Sequence, residues 1–344
     1  MKYRTLGRTG IRVSSFALGT MVLGAEGLGN PDHDDSARII HKALDSGINL
    51  VDTADAYSLG DSEVVVGKAL KGRRDDVVLA TKFGLPMSDD QNQRGASRRW
   101  IMTAVENSLR RLQTDHIDIY QMHRLDPDTD IDETLSALTD LVRSGKVRTI
   151  GASTVPASQI VEAQWAAQRR GLEPFRTEQP PYSILNRGIE AEVLPVAERY
   201  GMGVLTWSPM AKGMLTGRIR RDGATDLRRA AVFSSFSDTA RLDAVEKIAA
   251  LADEAGLPMP HMAMAFATSH PGVSSALIGP RTMEQLDDLL VAADVTLTDD
   301  VLDRLDEIVP PGTDVGAPDQ ASYVPPALQQ ATLRRLPADT RAAA

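Results

Sequence analysis

The chain has 344 residues, a net charge of −9 and no cysteine, with 42% hydrophobic and 25% charged residues. The acidic balance excludes a general nucleic-acid binder, which needs a basic face. The missing cysteines exclude disulfides, thiolate metal sites and a cysteine nucleophile. The length suits one large α/β domain or two medium ones, and the sequence lacks both a leader-like N-terminus and a membrane-length apolar run, so a cytoplasmic protein without a membrane span is expected.

Residues 1–13 read as a small hairpin turning at Gly7-Arg-Thr-Gly10, placed as a lid or plug. Short apolar runs then alternate with amphipathic stretches. The first strand is Ser15–Gly19, and a helix around Ser36–Ser46 ends at Gly47. Strand Ile48–Asp52 precedes helix Ser62–Leu70, and strand Val77–Lys82 precedes a helix capped by Ser97 and running to about Leu112. Strand Ile117–His123 is followed by helix Ile131–Ser144, and strand Val147–Ala152 by a helix opened by Pro156. A short strand near Arg176–Gln179 leads to helix Ile189–Tyr200. Strand Gly203–Trp207 leads through an irregular segment, 208–240, to helix Leu242–Ala255. Strand Ser275–Ile278 precedes helix Thr282–Ala292, and a last helix covers Asp299–Ile308. The tail from Pro310 is rich in Pro, Ala and polar residues. One domain is expected over 1–325 and a mobile tail over 326–344.

Eight strand-then-helix units in strict alternation imply a parallel sheet. Over roughly 280 residues they suit a closed (β/α)8 TIM barrel with an N-terminal hairpin plug and a C-terminal helix plus tail. An open doubly wound sheet is the alternative. It is disfavoured because Gly24-Ala-Glu-Gly27-Leu-Gly29 has the wrong spacing for a dinucleotide fingerprint and reads as a flexible loop.

Barrel chemistry sits at the C-terminal ends of the strands. The tips here are Gly19-Thr20, Asp52, Lys82, His123, Ser153, Gln179, Trp207 and Gly279, with Tyr57 just past the second. Each has a bland reading: Asp52 as a turn cap, Lys82 as a solvated strand end, His123 as a structural histidine, Tyr57 as packing. Together they make one proton-handling unit. Tyr57 is a weak acid, a neighbouring Lys82 ammonium lowers its pKa, and Asp52 anchors Lys82. His123 orients a carbonyl oxygen toward the phenol. No side chain can deliver a hydride, so a cofactor is implied. A divalent metal on Asp52, His123 and Asp126 is the alternative, with Lys82 opposing it electrostatically.

The motifs Asp52-Thr-Ala-Asp-Ala-Tyr57, Ala80-Thr-Lys-Phe-Gly84, Gln121-Met-His123, Ile150-Gly-Ala-Ser153, Glu178-Gln179 and Trp207-Ser-Pro-Met-Ala-Lys-Gly213 closely resemble the aldo-keto reductases over about residues 1–310. The Trp207-Ser-Pro segment and the stretch from Thr282 are most similar to the bacterial branch related to potassium-channel β subunits. The resemblance implies a reductase of aldehydes or ketones using NADP(H), with Asp52, Tyr57, Lys82 and His123 catalytic. It implies Trp207 stacking on the nicotinamide, Ser153 and Gln179 at its carboxamide, and Gly19, Thr20 and Met21 near the reactive ring. It also places Ser208, Pro209, Met210, Lys212 and Gly213 along the cofactor.

The residues carry a phosphate signal of their own. Lys212, Arg218, Arg220, Arg221, Arg228 and Arg229 crowd one loop of an acidic chain and suggest a pyrophosphate clamp. Gly279 and Arg281 at a helix start suit a 2′-phosphate, while Gln285 is also the partner of a Thr282 capping box. Asp288 falls near the expected adenine position. Leu289 follows it where the family has Asn, and Ser153-Thr154 replaces the common Ser-Asn pair. Met21, Phe83, Leu125, Tyr182 and Tyr323 are candidate substrate-pocket residues. A small-molecule substrate is expected, with a monomer or homo-oligomer. A cofactor-sensing regulatory subunit and a keto-sugar reductase remain the alternatives.

Overall fold

A computed structural model describes residues 1–26, 29–219, 237–316 and 330–336. Arg220, Arg221, Arg228, Arg229, Tyr323, part of the Gly24–Gly29 loop, the domain boundary near 325 and most of the expected mobile tail lie outside these residues.

The hairpin is formed by β1 (Tyr3–Thr5) and β2 (Arg12–Ser14), paired antiparallel. Eight parallel strands then close into a barrel: β3 (Phe16–Gly19), β4 (Leu50–Asp52), β5 (Val78–Phe83), β6 (Ile117–Met122), β7 (Val147–Ala152), β8 (Thr177–Glu178), β9 (Gly203–Thr206) and β10 (Ser275–Ile278), with β10 hydrogen-bonded to β3. This is the expected TIM barrel.

Side chains alternate across each strand. Ala17, Leu50, Ala80, Ile119, Leu205 and Leu277 point inward and join Leu6 and Val13 of the hairpin in one buried cluster. The hairpin is therefore a plug. A Cβ on Gly203 would stand 2.4 Å from Leu6 Cδ1, so the plug needs glycine at that point. Gly151 is required similarly, since its Cβ would fall 1.9 Å from Thr177 Oγ1. The outward-facing residues form the second, larger core under the helices.

That outer layer comprises α1 (His33–Asp45), α2 (Asp61–Ala69), α3 (Arg98–Leu112), α4 (Ile131–Arg143), α5 (Ala157–Arg170), α6 (Val193–Tyr200), α7 (Thr239–Glu254), α8 (Met259–Ser269), α9 (Met283–Val291) and α10 (Asp299–Ile308). Several starts follow from side chains that accept the orphan N–H groups of a first turn. Ser97 accepts from Trp100 N–H and Asp238 from Ala240 and Arg241 N–H. The helix expected from Ile189 instead begins at Val193, after a separate turn at Gly188–Glu190. Pro195 explains this: without an N–H it fits only a first turn. Helix α8 was absent from the sequence reading. Its segment, Met-Pro-His-Met-Ala-Met-Ala-Phe-Ala-Thr-Ser, is buried nearly all round and so carries no amphipathic stripe. Among the described residues no helix is long and apolar enough to cross a membrane.

Candidate active site

Strand register brings the polar tips together. Gly19 pairs with Asp52, Asp52 with Ala80, and Lys82 with Gln121. Lys82 shares the inward parity of Ala80, so its ammonium rises inside the barrel toward the C-terminal mouth. Lys82 and Asp52 are each about 1% exposed at the side chain, with Nζ 2.5 Å from Asp52 Oδ2. Lys82 also donates to Thr53 O at 2.9 Å and to Tyr57 Oη at 3.1 Å. The second carboxylate oxygen of Asp52 accepts from Gln179 Nε2 at 2.7 Å. This last link joins residues 127 apart in sequence, and nothing in the local motif signals it.

The His123 ring stands edge-on to Tyr57, with centroids 5.7 Å apart and planes at 82°. Burial, then the nearby Lys82 and Arg124 charges, push the imidazole well below its usual pKa, so it is neutral. Burial alone would discharge Lys82. The Asp52 carboxylate and Tyr57 more than offset this, and the ammonium is held more firmly than usual. For Tyr57 the balance goes the other way. Burial raises its pKa more than Lys82 lowers it, so the net shift is upward, opposite to the lowering expected from the ammonium alone. The resting phenol keeps its proton, hydrogen-bonded to a cation that would stabilise the phenolate.

A cavity of about 730 Å³ opens above this group and is lined by Asp52, Tyr57, His123, Gly19, Met21, Ser153, Gln179, Trp207, Ser208, Pro209, Met210, Lys212, Gly213, Arg218, Gly279, Arg281, Gln285 and Asp288. Two of the expected catalytic and cofactor-binding residues do not line it. Lys82 lies beneath the floor. Thr20 is fully buried, with its hydroxyl turned to Asp52 O (3.1 Å) and Ser62 Oγ (2.9 Å), so it braces the Asp52 strand end. Of the pocket candidates, Met21 is in place. Phe83 and Tyr182 are corrections: Phe83 follows inward-facing Lys82, so it faces the helices and packs on Tyr120. Tyr182 stacks on Phe266 and bonds Glu190 through its hydroxyl. Leu125 packs against the outer core. Asp126 accepts from Ala96 N–H, Asp128 N–H and the Thr129 hydroxyl, which fixes its loop.

Cavity residues absent from the sequence reading include Arg124, Leu85, Thr216 and Pro260. Arg124 follows His123 directly and was readable as a strand-tip neighbour. Pro260 belongs to the missed α8.

The far wall is built by tight turns. Ser208, Ala211 and Lys212 all take positive φ, and Ser208 Oγ accepts from Lys212 N–H at 2.7 Å. Trp207 Nε1 donates to Thr154 Oγ1 at 3.2 Å, which fixes the indole plane. Thr154 itself sits at φ 59°, a costly place for a β-branched residue. Beneath it, Glu178 Oε1 accepts from Val155 N–H, and burial pushes that carboxyl up to about 8. At the other end, Thr282 caps α9 by accepting from Gln285 N–H, while Gln285 Oε1 accepts from Arg281 N–H. The expected capping box thus reaches one residue further back. Asp288 Oδ1 lies 2.9 Å from His261 Nε2 of α8.

The barrel and its mouth define an enzyme: a caged Asp52–Lys82–Tyr57 triplet with neutral His123 on the floor of one long cleft, and Lys212, Arg218 and Arg281 on its walls. The aldo/keto reductase family model matches residues 15–310, and the chain belongs to that family. It is 41% identical to the uncharacterized oxidoreductase YrpG of Bacillus subtilis, over 90% of this chain and 96% of that protein. It is 37% identical to versiconal hemiacetal acetate reductase of Aspergillus parasiticus, over 89% and 96%. It is 33% identical to a probable voltage-gated potassium channel subunit beta of Arabidopsis thaliana, over 90% and 97%. The chain is accordingly an oxidoreductase of the carbonyl-reducing kind.

Proposed function

We propose that the protein reduces an aldehyde or ketone to an alcohol with NADPH. The observation that carries this reading is Lys82 Nζ, held 2.5 Å from Asp52 and 3.1 Å from Tyr57 Oη. When bound, the nicotinamide supplies the hydride, chemistry that no side chain here can perform. Tyr57 gives its proton to the carbonyl oxygen as negative charge develops there. Lys82 stabilises the phenolate left behind, and Asp52, tied to Gln179, keeps Lys82 charged and in place. Neutral His123 orients the substrate oxygen toward Tyr57.

The donor set fits the cofactor. Trp207, with its plane fixed, offers a stacking face at the catalytic end. Lys212 and Arg218 suit a pyrophosphate, and Arg281 at the start of α9 suits a 2′-phosphate. The second reading is a regulatory NADP-binding subunit, favoured by the channel-subunit relative. Steady-state oxidation of NADPH and NADH across a panel of aldehydes and ketones, with wild type and Arg281→Ala, separates these readings. We expect turnover with NADPH, and a KM for NADPH raised about tenfold in the variant with the NADH value little changed. Absence of turnover with every carbonyl would favour the regulatory reading, and equal losses for both cofactors would remove Arg281 from 2′-phosphate recognition.

A further inference from the structure

The loop carrying Tyr57 has a second acid behind it. Asp55 is 1% exposed, and neither of its carboxyl oxygens has a side-chain partner among the described residues; the Ala56 N–H is the backbone donor beside it. Its side chain faces a separate cavity of about 130 Å³, lined also by Trp100, Asn107, Gln93 and Arg111. The indole N–H of Trp100 is likewise buried and unpartnered. Such a space has room for roughly four waters. It lies on the helix side of the barrel, away from the substrate cleft.

We propose that Asp55 is a positioning residue for the proton donor, a neutral buried acid that seats the Tyr57 loop and unseats it on ionising. The loop is stitched to the catalytic lysine at two points: Asp55 N–H donates to Lys82 O at 3.1 Å, and Lys82 Nζ donates to Thr53 O at 2.9 Å. Just past Tyr57, Ser58 and Leu59 both stand at positive φ, so the turn is held under strain. A movement of Asp55 therefore reaches both Lys82 and Tyr57.

The charges facing Asp55 decide its state. Glu63 of α2 repels an ionised Asp55, and its own oxygens are already taken by the Thr81 hydroxyl (2.6 Å) and Arg111 (2.7 Å). Arg111 of α3 and Lys82 of β5 attract it, and Tyr120 of β6 is a neutral buried phenol nearby. Burial and Glu63 outweigh Arg111, the Ala56 N–H and Lys82, raising the Asp55 carboxyl to about 8. An ionised Asp55 would draw its side chain toward the polar cavity and away from Glu63. It would also place a negative charge near Lys82 and make Tyr57 a weaker acid.

This inference rests on the reductase reading, so its test has an arm that needs no activity. In wild type labelled at the aspartate carboxyl carbon, one resonance should remain protonated at about pH 6 and titrate near pH 8. Glu178, also raised, is invisible to that label. The midpoint should coincide with an alkaline limb in kcat, which falls about tenfold one pH unit above it. Asp55→Asn, which mimics the neutral acid, should lose this limb and leave the cofactor dissociation constant unmoved.

The stability sign follows from a raised acid. The folded state binds the extra proton between the unfolded value near 4 and about 8, so wild-type stability falls as pH rises through that window. The Tm difference between Asp55→Asn and wild type should widen there and stay constant above it. If all aspartates titrate near 4, or if the two proteins share one pH–rate profile, the proposal is overturned. If the titration appears but no carbonyl is reduced at any pH, the reductase reading fails and the acid assignment stands.

Discussion

Asp52 ends β4 and Asp55 lies three residues further on in the loop that follows, and both are 1% exposed. Asp52 faces the cleft and accepts from Lys82 and Gln179. Asp55 faces the helices and accepts from no side chain. The same residue type, equally buried, thus holds opposite roles because of its partners. A buried carboxylate with a cation and an amide is a fixed charge that can organise a site. A buried carboxyl without them takes up a proton instead. The motif is two-sided, with an ion-paired carboxyl in front and a carboxyl without a side-chain partner behind.

Lys82→Met takes the cation from Asp52 and leaves its carboxyl only the Gln179 amide as a side-chain partner. Turnover should fall at least about a hundredfold, and the buried unpaired charge should cost about 3–5 kcal/mol of stability in denaturant titration. Retained turnover would show that the ammonium does not act on Tyr57. A smaller effect sharpens the contrast. Asp52→Asn removes the anchor of a charged lysine and should destabilise by about 2–3 kcal/mol, whereas Asp55→Asn should stabilise by at least about 1 kcal/mol at neutral pH. Equal signs in the two melts would erase the distinction between the two faces of the loop.

The sequence showed the front of this loop far better than its back. Asp52, Lys82, His123 and Gln179 fall on strand tips, and barrel topology assembles strand tips without any knowledge of side-chain contacts. Phe83 was misplaced even though the period of two that turns Lys82 inward turns Phe83 outward. Thr20 has the same lesson, being a tip residue whose hydroxyl goes to Asp52 O. The Asp55 environment was not legible, because Glu63, Trp100 and Arg111 come from α2 and α3, and their convergence depends on helix packing. Helix α8 was hidden by having no polar face, and with it went Pro260 on the cleft wall. The upward shift of Tyr57 was missed because sequence shows a neighbouring charge but not the depth of burial opposing it.

Tyr57→Phe tests whether Tyr57 is the proton donor. The phenylalanine keeps the ring against His123 and removes only the hydroxyl 3.1 Å from Lys82 Nζ. With a carbonyl substrate turned over by the wild type, kcat should fall by about a hundred- to ten-thousandfold, while NADPH binding, read by fluorescence titration, stays within about twofold. Turnover near the wild-type rate in that variant would contradict the account.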